Sequence, residues 1–134
     1  MVIDTSALLA ILWNEPERRL FNEAIEEAAS RVMSVATFVE ASMVMESRSG
    51  SAGLSDLDHF IERAGIALIP VDAEQGKMAR RAFSRFGKGR HPAGLNYGDC
   101  FAYALANVRG EPLLFKGSDF SLTDIVFAVG PAPA

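Results

Sequence analysis

The chain has 134 residues, enough for one buried core and too few for two ordinary domains, and its 49% hydrophobic and 22% charged content excludes the disordered and fibrous classes. Its net charge of −4 lacks the basic excess that usually marks a nucleic-acid binder, and the lone Cys100 with His59 and His91 supplies neither an intrachain disulfide nor a four-ligand zinc site. The first residues read as a strand rather than a basic leader, and no apolar run approaches a bilayer span, so a cytoplasmic location without membrane association is expected.

In chain order, short apolar runs alternate with longer amphipathic stretches, the pattern of βα units around a parallel sheet. The expected class is α/β, with about five mostly parallel strands flanked by helices. Strands are predicted over residues 1–3, 32–35, 67–71, 113–115 and 125–129, each too short for a helix and rich in branched side chains. After the first strand, a helix is predicted over 5–13 and a second over 17–29, with Asn14 as its cap and Pro16 in its first turn. Residues 37–48 continue with Phe38, Ala41, Val44 and Met45 on one face, and a Gly/Ser-rich turn at 50–53 hinges to a helix over 55–64. Asp72 caps a helix over 73–86, a glycine-bearing loop occupies 87–94, and a last helix over 96–108 ends before Gly110. Residues 1–130 are expected to form one domain and 131–134 a flexible tail with nothing to pack against.

In an open α/β sheet the ligand site lies beyond the carboxyl ends of the strands, which gives acids at those ends a special meaning. Asp4 follows the first strand directly, where it also suits a helix cap. Glu40 falls in the first turns of the helix after the second strand, among Phe38, Val39 and Ala41, where a carboxylate is costly to bury alone. Asp99 opens an otherwise apolar helix beside Gly98, whose missing side chain permits close approach of a phosphate or another backbone. As an ordinary helix-start acid, Asp99 would gain up to about 1 kcal/mol from the helix dipole. Asp119 follows the fourth strand through Lys116-Gly117-Ser118, a spacing that also suits a turn.

Gathered in one cleft, these four charges would repel one another unless protons or cations neutralised them. Hard oxygen donors suit Mg²⁺ or Mn²⁺, and such ions would also invert the local field that an acidic chain presents to nucleic acid. Ser6, two residues beyond Asp4, is placed to hold a carboxylate or to act as a local cap. Lys88, Arg90 and His91 in the loop before the last helix, and Lys116 beside Asp119, are candidate phosphate contacts, although exposed basic loops are common. Trp13, Phe38, Met43 and Met45 serve equally as core or as an adaptable groove for a partner helix.

Taken together, Val2-Ile3-Asp4-Thr5-Ser6-Ala7, Glu40 on a helix, Leu95-Asn96-Tyr97-Gly98-Asp99-Cys100-Phe101-Ala102 and Leu113-Leu114-Phe115-Lys116-Gly117-Ser118-Asp119-Phe120 spell a familiar series. In order and spacing over nearly the whole chain it resembles the VapC family of PIN-domain ribonuclease toxins. The resemblance implies a PIN-like fold and a metal-dependent endoribonuclease that cuts a specific RNA, with transfer or ribosomal RNA the usual targets. It further implies a homodimer and a cognate VapB-type antitoxin. By the same resemblance Asp4 and Asp99 would be the principal Mg²⁺ or Mn²⁺ ligands, Glu40 would help hold metal or orient water, and Asp119 would be the fourth acid. Many PIN domains carry an acid two positions before Asp119, where this chain has Gly117; Asp124 lies nearby but suits a cap or turn.

Two other classes compete. A phosphoacceptor receiver domain could cast Asp4, Asp72 and Lys116 in its roles, yet it wants an adjacent acidic pair after the first strand, where this chain has Ile3-Asp4-Thr5. A catalytically silent protein-binding module would not need Asp4, Glu40 and Asp99. A dehalogenase-type phosphatase would need a second aspartate at the position that Ser6 occupies.

Overall fold

Four parallel strands form the sheet in the order β3-β2-β1-β4, where β1 is Val2–Ile3, β2 Val32–Ser34, β3 Ala67–Ile69 and β4 Leu113–Leu114. The computed structural model describes residues 1–130, so the tail expected at 131–134 lies outside the described residues. Successive strand side chains point to opposite faces. Val2, Val32 and Leu113 therefore enter one core with Phe86, Tyr103 and Leu105, while Ile3, Met33 and Leu114 enter another with Leu8, Ile11, Phe21 and Leu57. Helices α1 (Thr5–Leu12), α2 (Arg18–Glu27) and α3 (Val35–Ala64) cover the second face, and α4 (Ala73–Phe86) and α5 (Tyr97–Arg109) cover the first. Strands buried on both faces read as continuous apolar runs, which is why 1–3 and 113–115 were recognisable.

Several boundaries differ from the sequence expectation. Residues 125–129 form no strand: Phe127 makes a single parallel bridge to Leu113, supported by hydrogen bonds from Leu113 N to Val126 O and from Ala128 N to Leu113 O. The segment lies in the place of a fifth strand, but β4 is only two residues long and offers no longer ladder to extend. The helices predicted at 37–48 and 55–64 are the two halves of α3, broken at Gly50, whose φ of 61° and ψ of −151° interrupt the helical path. At Gly53 a Cβ would sit 2.5 Å from Met45 O, so the second half passes too close to the first for any side chain there. Asn14 does not cap α2. It adopts a left-handed φ of 54° after α1, and its Oδ1 accepts from Arg18 Nη1 at 3.1 Å, while α2 begins after Glu17 with no side-chain cap.

The caps of α4 and α5 are as expected. Asp72 Oδ1 accepts from Gln75 N at 2.9 Å, and Gly110 ends α5 in the left-handed region. Met45 is core, Trp13 and Phe38 are half-buried, and Met43 is 65% exposed. Among the described residues no helix is long and apolar enough to cross a membrane.

Candidate active site

The acids expected to act together come from four separate elements on the sheet. Asp4 leaves β1 and caps α1, and it is 3% exposed. Its Oδ2 accepts two hydrogen bonds from Ser6, from the backbone N at 3.0 Å and from Oγ at 2.6 Å, whereas its Oδ1 is buried without a partner among the described residues. Burial pushes the Asp4 carboxyl up to about 7. The Ser6 hydrogen bonds oppose that rise, and the charges of Asp99 and Glu40 add to it. Ser6 has a second duty: its Oγ accepts from Lys116 N at 3.0 Å, tying the Asp4 turn to the loop that follows β4.

Glu40 enters from the early turns of α3 and is held by a residue that sequence reasoning passed over. Thr5, 7% exposed, donates from Oγ1 to Glu40 Oε1 at 2.7 Å. The other carboxylate oxygen lies against α5, where a Cβ on Gly98 would stand 1.8 Å from Glu40 Oε2. The glycine that the sequence suggested would admit a phosphate or backbone instead admits this carboxylate. In the sequence the Gly beside Asp99 marked a close approach without naming what approaches, and nothing marked Thr5 as the partner of Glu40.

Asp99 has a structural duty as well as a place in the cleft. Asn96 Oδ1 accepts from Asp99 N at 2.9 Å and Asp99 Oδ2 accepts from Asn96 N at 3.0 Å, a reciprocal capping box at the start of α5. Burial raises its carboxyl to about 6; the backbone hydrogen bond from Asn96 opposes this, and the charges of Glu40 and Asp119 add to it. Asp119 is exposed and begins the short 3-10 turn Phe120–Leu122, anchored by Phe120 at 2% exposure. Asp4 thus feels Asp99 and Glu40, and Asp99 feels Glu40 and Asp119, so the four negative groups share one field. Asp124 is engaged elsewhere, accepting from Tyr103 Oη at 2.5 Å and from Arg85 Nη1 at 3.3 Å.

Among the described residues no three His, Cys, Asp or Glu side chains are already drawn together as a finished metal cage. The donor set nevertheless fits a hard divalent cation: all-oxygen ligands, a buried Asp4 Oδ1 without a partner, and carboxyls whose charge the protein alone leaves costly. Mg²⁺ commonly takes only one or two protein carboxylates and keeps its waters. Cys100 is buried and its thiol is pushed up to about 11, so it offers no nucleophile at neutral pH.

The basic candidates separate. Lys88 and Arg90 are exposed in the loop before α5, whereas Lys116 Nζ is paired with Glu15 and, at 3.3 Å, with Glu17. His91 is held in the loop, its Nδ1 accepting from Ala93 N and its ring set edge-on to Phe86. With Asp72 capping α4 and Lys116 bound to two glutamates, the phosphoacceptor arrangement is absent among the described residues.

The PIN domain family profile matches residues 1–126. Ribonuclease VapC of Mycolicibacterium smegmatis is 56% identical over 125 residues, covering 93% of this chain and 97% of that protein. Ribonuclease VapC30 of Mycobacterium tuberculosis is 50% identical over 131 residues, covering 98% of this chain and all of the relative. The chain belongs to the VapC family of PIN-domain ribonucleases. Its fold is also that of VapC20 of Mycobacterium tuberculosis, described as a sarcin–ricin loop cleaving toxin, with a TM-score of 0.76 at 16% identity over 97% of this chain and 98% of that one. A toxin–antitoxin complex from Klebsiella pneumoniae contains a chain with a TM-score of 0.63 at 16% identity, covering 96% of this VapC chain and 97% of that one.

Proposed function

We propose that this VapC-family chain is a Mg²⁺- or Mn²⁺-dependent endoribonuclease toxin that acts in the cytoplasm, with residues 1–130 as one PIN unit. The observation that carries the reading is the buried, partnerless Asp4 Oδ1 within a field of four acids, in a chain of this family. Asp4 and Asp99 would hold the ion. When bound, the ion supplies positive charge that acidifies a water and offsets charge building on the scissile phosphate.

The chain's own groups set the geometry of the step. Ser6 fixes Asp4 through Oδ2 and leaves Oδ1 directed away from that pair of hydrogen bonds. Thr5 fixes one oxygen of Glu40, and Gly98 gives the other its space, so Glu40 is held to orient water and accept its proton. Asp119 adds a fourth charge from an exposed loop. Lys88, Arg90 and Lys116 would meet RNA phosphates near the cleft, Lys116 by exchanging its glutamate partners.

The substrate class proposed is a specific transfer or ribosomal RNA. The partner proposed is a VapB-type antitoxin that neutralises a homodimeric toxin. Expression of the chain alone in a bacterial host is expected to arrest growth, with relief by the antitoxin and by Asp99→Asn. Normal growth with abundant soluble wild-type protein would overturn the toxin reading.

A further inference from the structure

Six of the thirteen Lys and Arg residues fall between positions 77 and 90, and no Asp or Glu stands between Glu74 and Asp99. All seventeen acids therefore lie elsewhere, and the net charge of −4 conceals one strongly positive segment on an otherwise acidic molecule. On α4, Lys77, Arg80, Arg81 and Arg85 are exposed and at 3.6 residues per turn share one side, opposite the buried Ala79, Ala82 and Phe86. Lys77, Arg80 and Arg81 make no ion pair among the described residues, and Arg85 reaches only the half-exposed Asp124. Arg85 has folding roles, in the last turn of α4 and in its pair with Asp124, and Glu74 lies three residues before Lys77, but the like charges at i,i+4, Lys77 with Arg81 and Arg81 with Arg85, weaken the helix.

We propose that the solvent face of α4 is a docking surface for the RNA phosphate backbone that leads to the acidic cleft, a proposal resting on the ribonuclease reading above. Continuity supports it. The stripe passes from α4 into the loop of Lys88 and Arg90, which is tied to Leu95, just before α5, through hydrogen bonds from Leu95 N to Phe86 O and from Lys88 N to Leu95 O, both 2.9 Å. Leu95 stands four residues before Asp99. Helix α4 itself, at 14 residues, is about 21 Å long by its rise per residue, enough to meet several phosphates. Phe83, 41% exposed with the Arg90 guanidinium 5.4 Å above its ring, adds an aromatic surface of the kind on which bases stack. An acidic molecule with one positive face also orients a polyanion before contact, repelling it everywhere else.

Phosphate contact is independent of sequence, so the test needs no knowledge of the target. A labelled mixed-sequence single-stranded RNA is titrated in chelator across a range of salt with wild type, with the triple variant Lys77→Glu, Arg80→Glu, Arg81→Glu, and with Arg19→Glu as a control cation away from α4. The triple variant is expected to bind more weakly and to flatten the log K against log salt slope by about 2, at about 0.7 per phosphate contact on a single strand. Lys77→Arg with Arg80→Lys and Arg81→Lys, which keeps the charge, and the Arg19 control should keep the wild-type slope. If the triple variant fails to fold, single reversals carry the test, each lowering the slope by about 0.7.

An unchanged slope and affinity in the reversed variants would overturn the proposal. So would a variant that binds RNA normally but loses the antitoxin, since that would assign the face to a protein. Because binding is read without metal, the two readings separate. A chain with the expected slopes that cleaves nothing keeps this surface and loses the nuclease; one that cleaves RNA with unaltered slopes does the reverse.

Discussion

Asp4→Asn should make the metal-free protein more stable, not less. A carboxyl moved from 3.8 to about 7 carries a cost of roughly 4 kcal/mol for its charged form in the folded chain. The sign follows from proton linkage: the fold holds the Asp4 proton more tightly than the unfolded chain does, so stability falls as pH rises from about 4 to about 7. Below that window both states are protonated and the penalty vanishes. Asparagine removes the charge and keeps an acceptor for Ser6, but it puts an amide N–H₂ where Asp4 Oδ1 has no partner, which returns about 1–3 kcal/mol. The net expectation is a gain of about 1–3 kcal/mol at pH 8 in chelator, or several degrees of midpoint temperature, shrinking to nothing or reversing near pH 4. Thermal or urea unfolding of both proteins across that range reads it directly. Added Mg²⁺ should then stabilise wild type and leave the variant unmoved. A variant less stable than wild type at pH 8 in chelator, or a difference independent of pH, would refute the reasoning.

Gly98→Ala should keep the fold and lose activity. Alanine is favoured over glycine within a helix, so stability should stay within about 1 kcal/mol of wild type. The new Cβ, 1.8 Å from Glu40 Oε2, must displace that carboxylate, and cleavage should fall by about 100-fold, the scale on which ångström misplacements act. Wild-type cleavage by this variant would show that the position of Glu40 is immaterial. Thr5→Val, which removes the hydroxyl on Glu40 Oε1, should lower the cleavage rate with little change in RNA affinity; an unaltered rate would contradict the positioning role. Tyr103→Phe deletes the hydrogen bond to Asp124 that anchors the segment after the Asp119 turn, and should cost about 1–2 kcal/mol in urea unfolding, whereas an unmoved midpoint would deny that anchor any weight.

The layered α/β fold was legible because strands covered on both faces read as unbroken apolar runs, and because Asp72 and Gly110 announce helix ends, the one by its capping carboxylate and the other by its tolerance of left-handed backbone; Asn96, expected as the first residue of the last helix, is instead its cap. What misled was local signal without tertiary context. Asn14 before Pro16 resembles a helix start, but the same side chain tolerates left-handed backbone and here closes the turn after α1. The apolar stretch 125–129 has strand composition, yet whether it pairs depends on the length of β4, a property of a distant segment. At the candidate site, Asp4, Glu40, Asp99 and Asp119 could be proposed from their places at strand and helix ends, and the structure puts them within reach of one another's charge. The grip of Thr5 on Glu40 and the fit of Gly98 against it join positions 35 and 58 residues apart and have no local signature. The net charge misled in its own way, since a sum over the chain hides that six Lys and Arg residues and no acid stand between Glu74 and Asp99.

The most direct measurement is cleavage of total bacterial RNA by antitoxin-free protein in Mg²⁺ or Mn²⁺, in chelator, and with Asp99→Asn alongside. A metal-dependent nuclease that relies on Asp99 yields discrete fragments that appear only with metal and vanish in the variant. Cleavage that persists in chelator or in Asp99→Asn, or no cleavage in either metal, would contradict it.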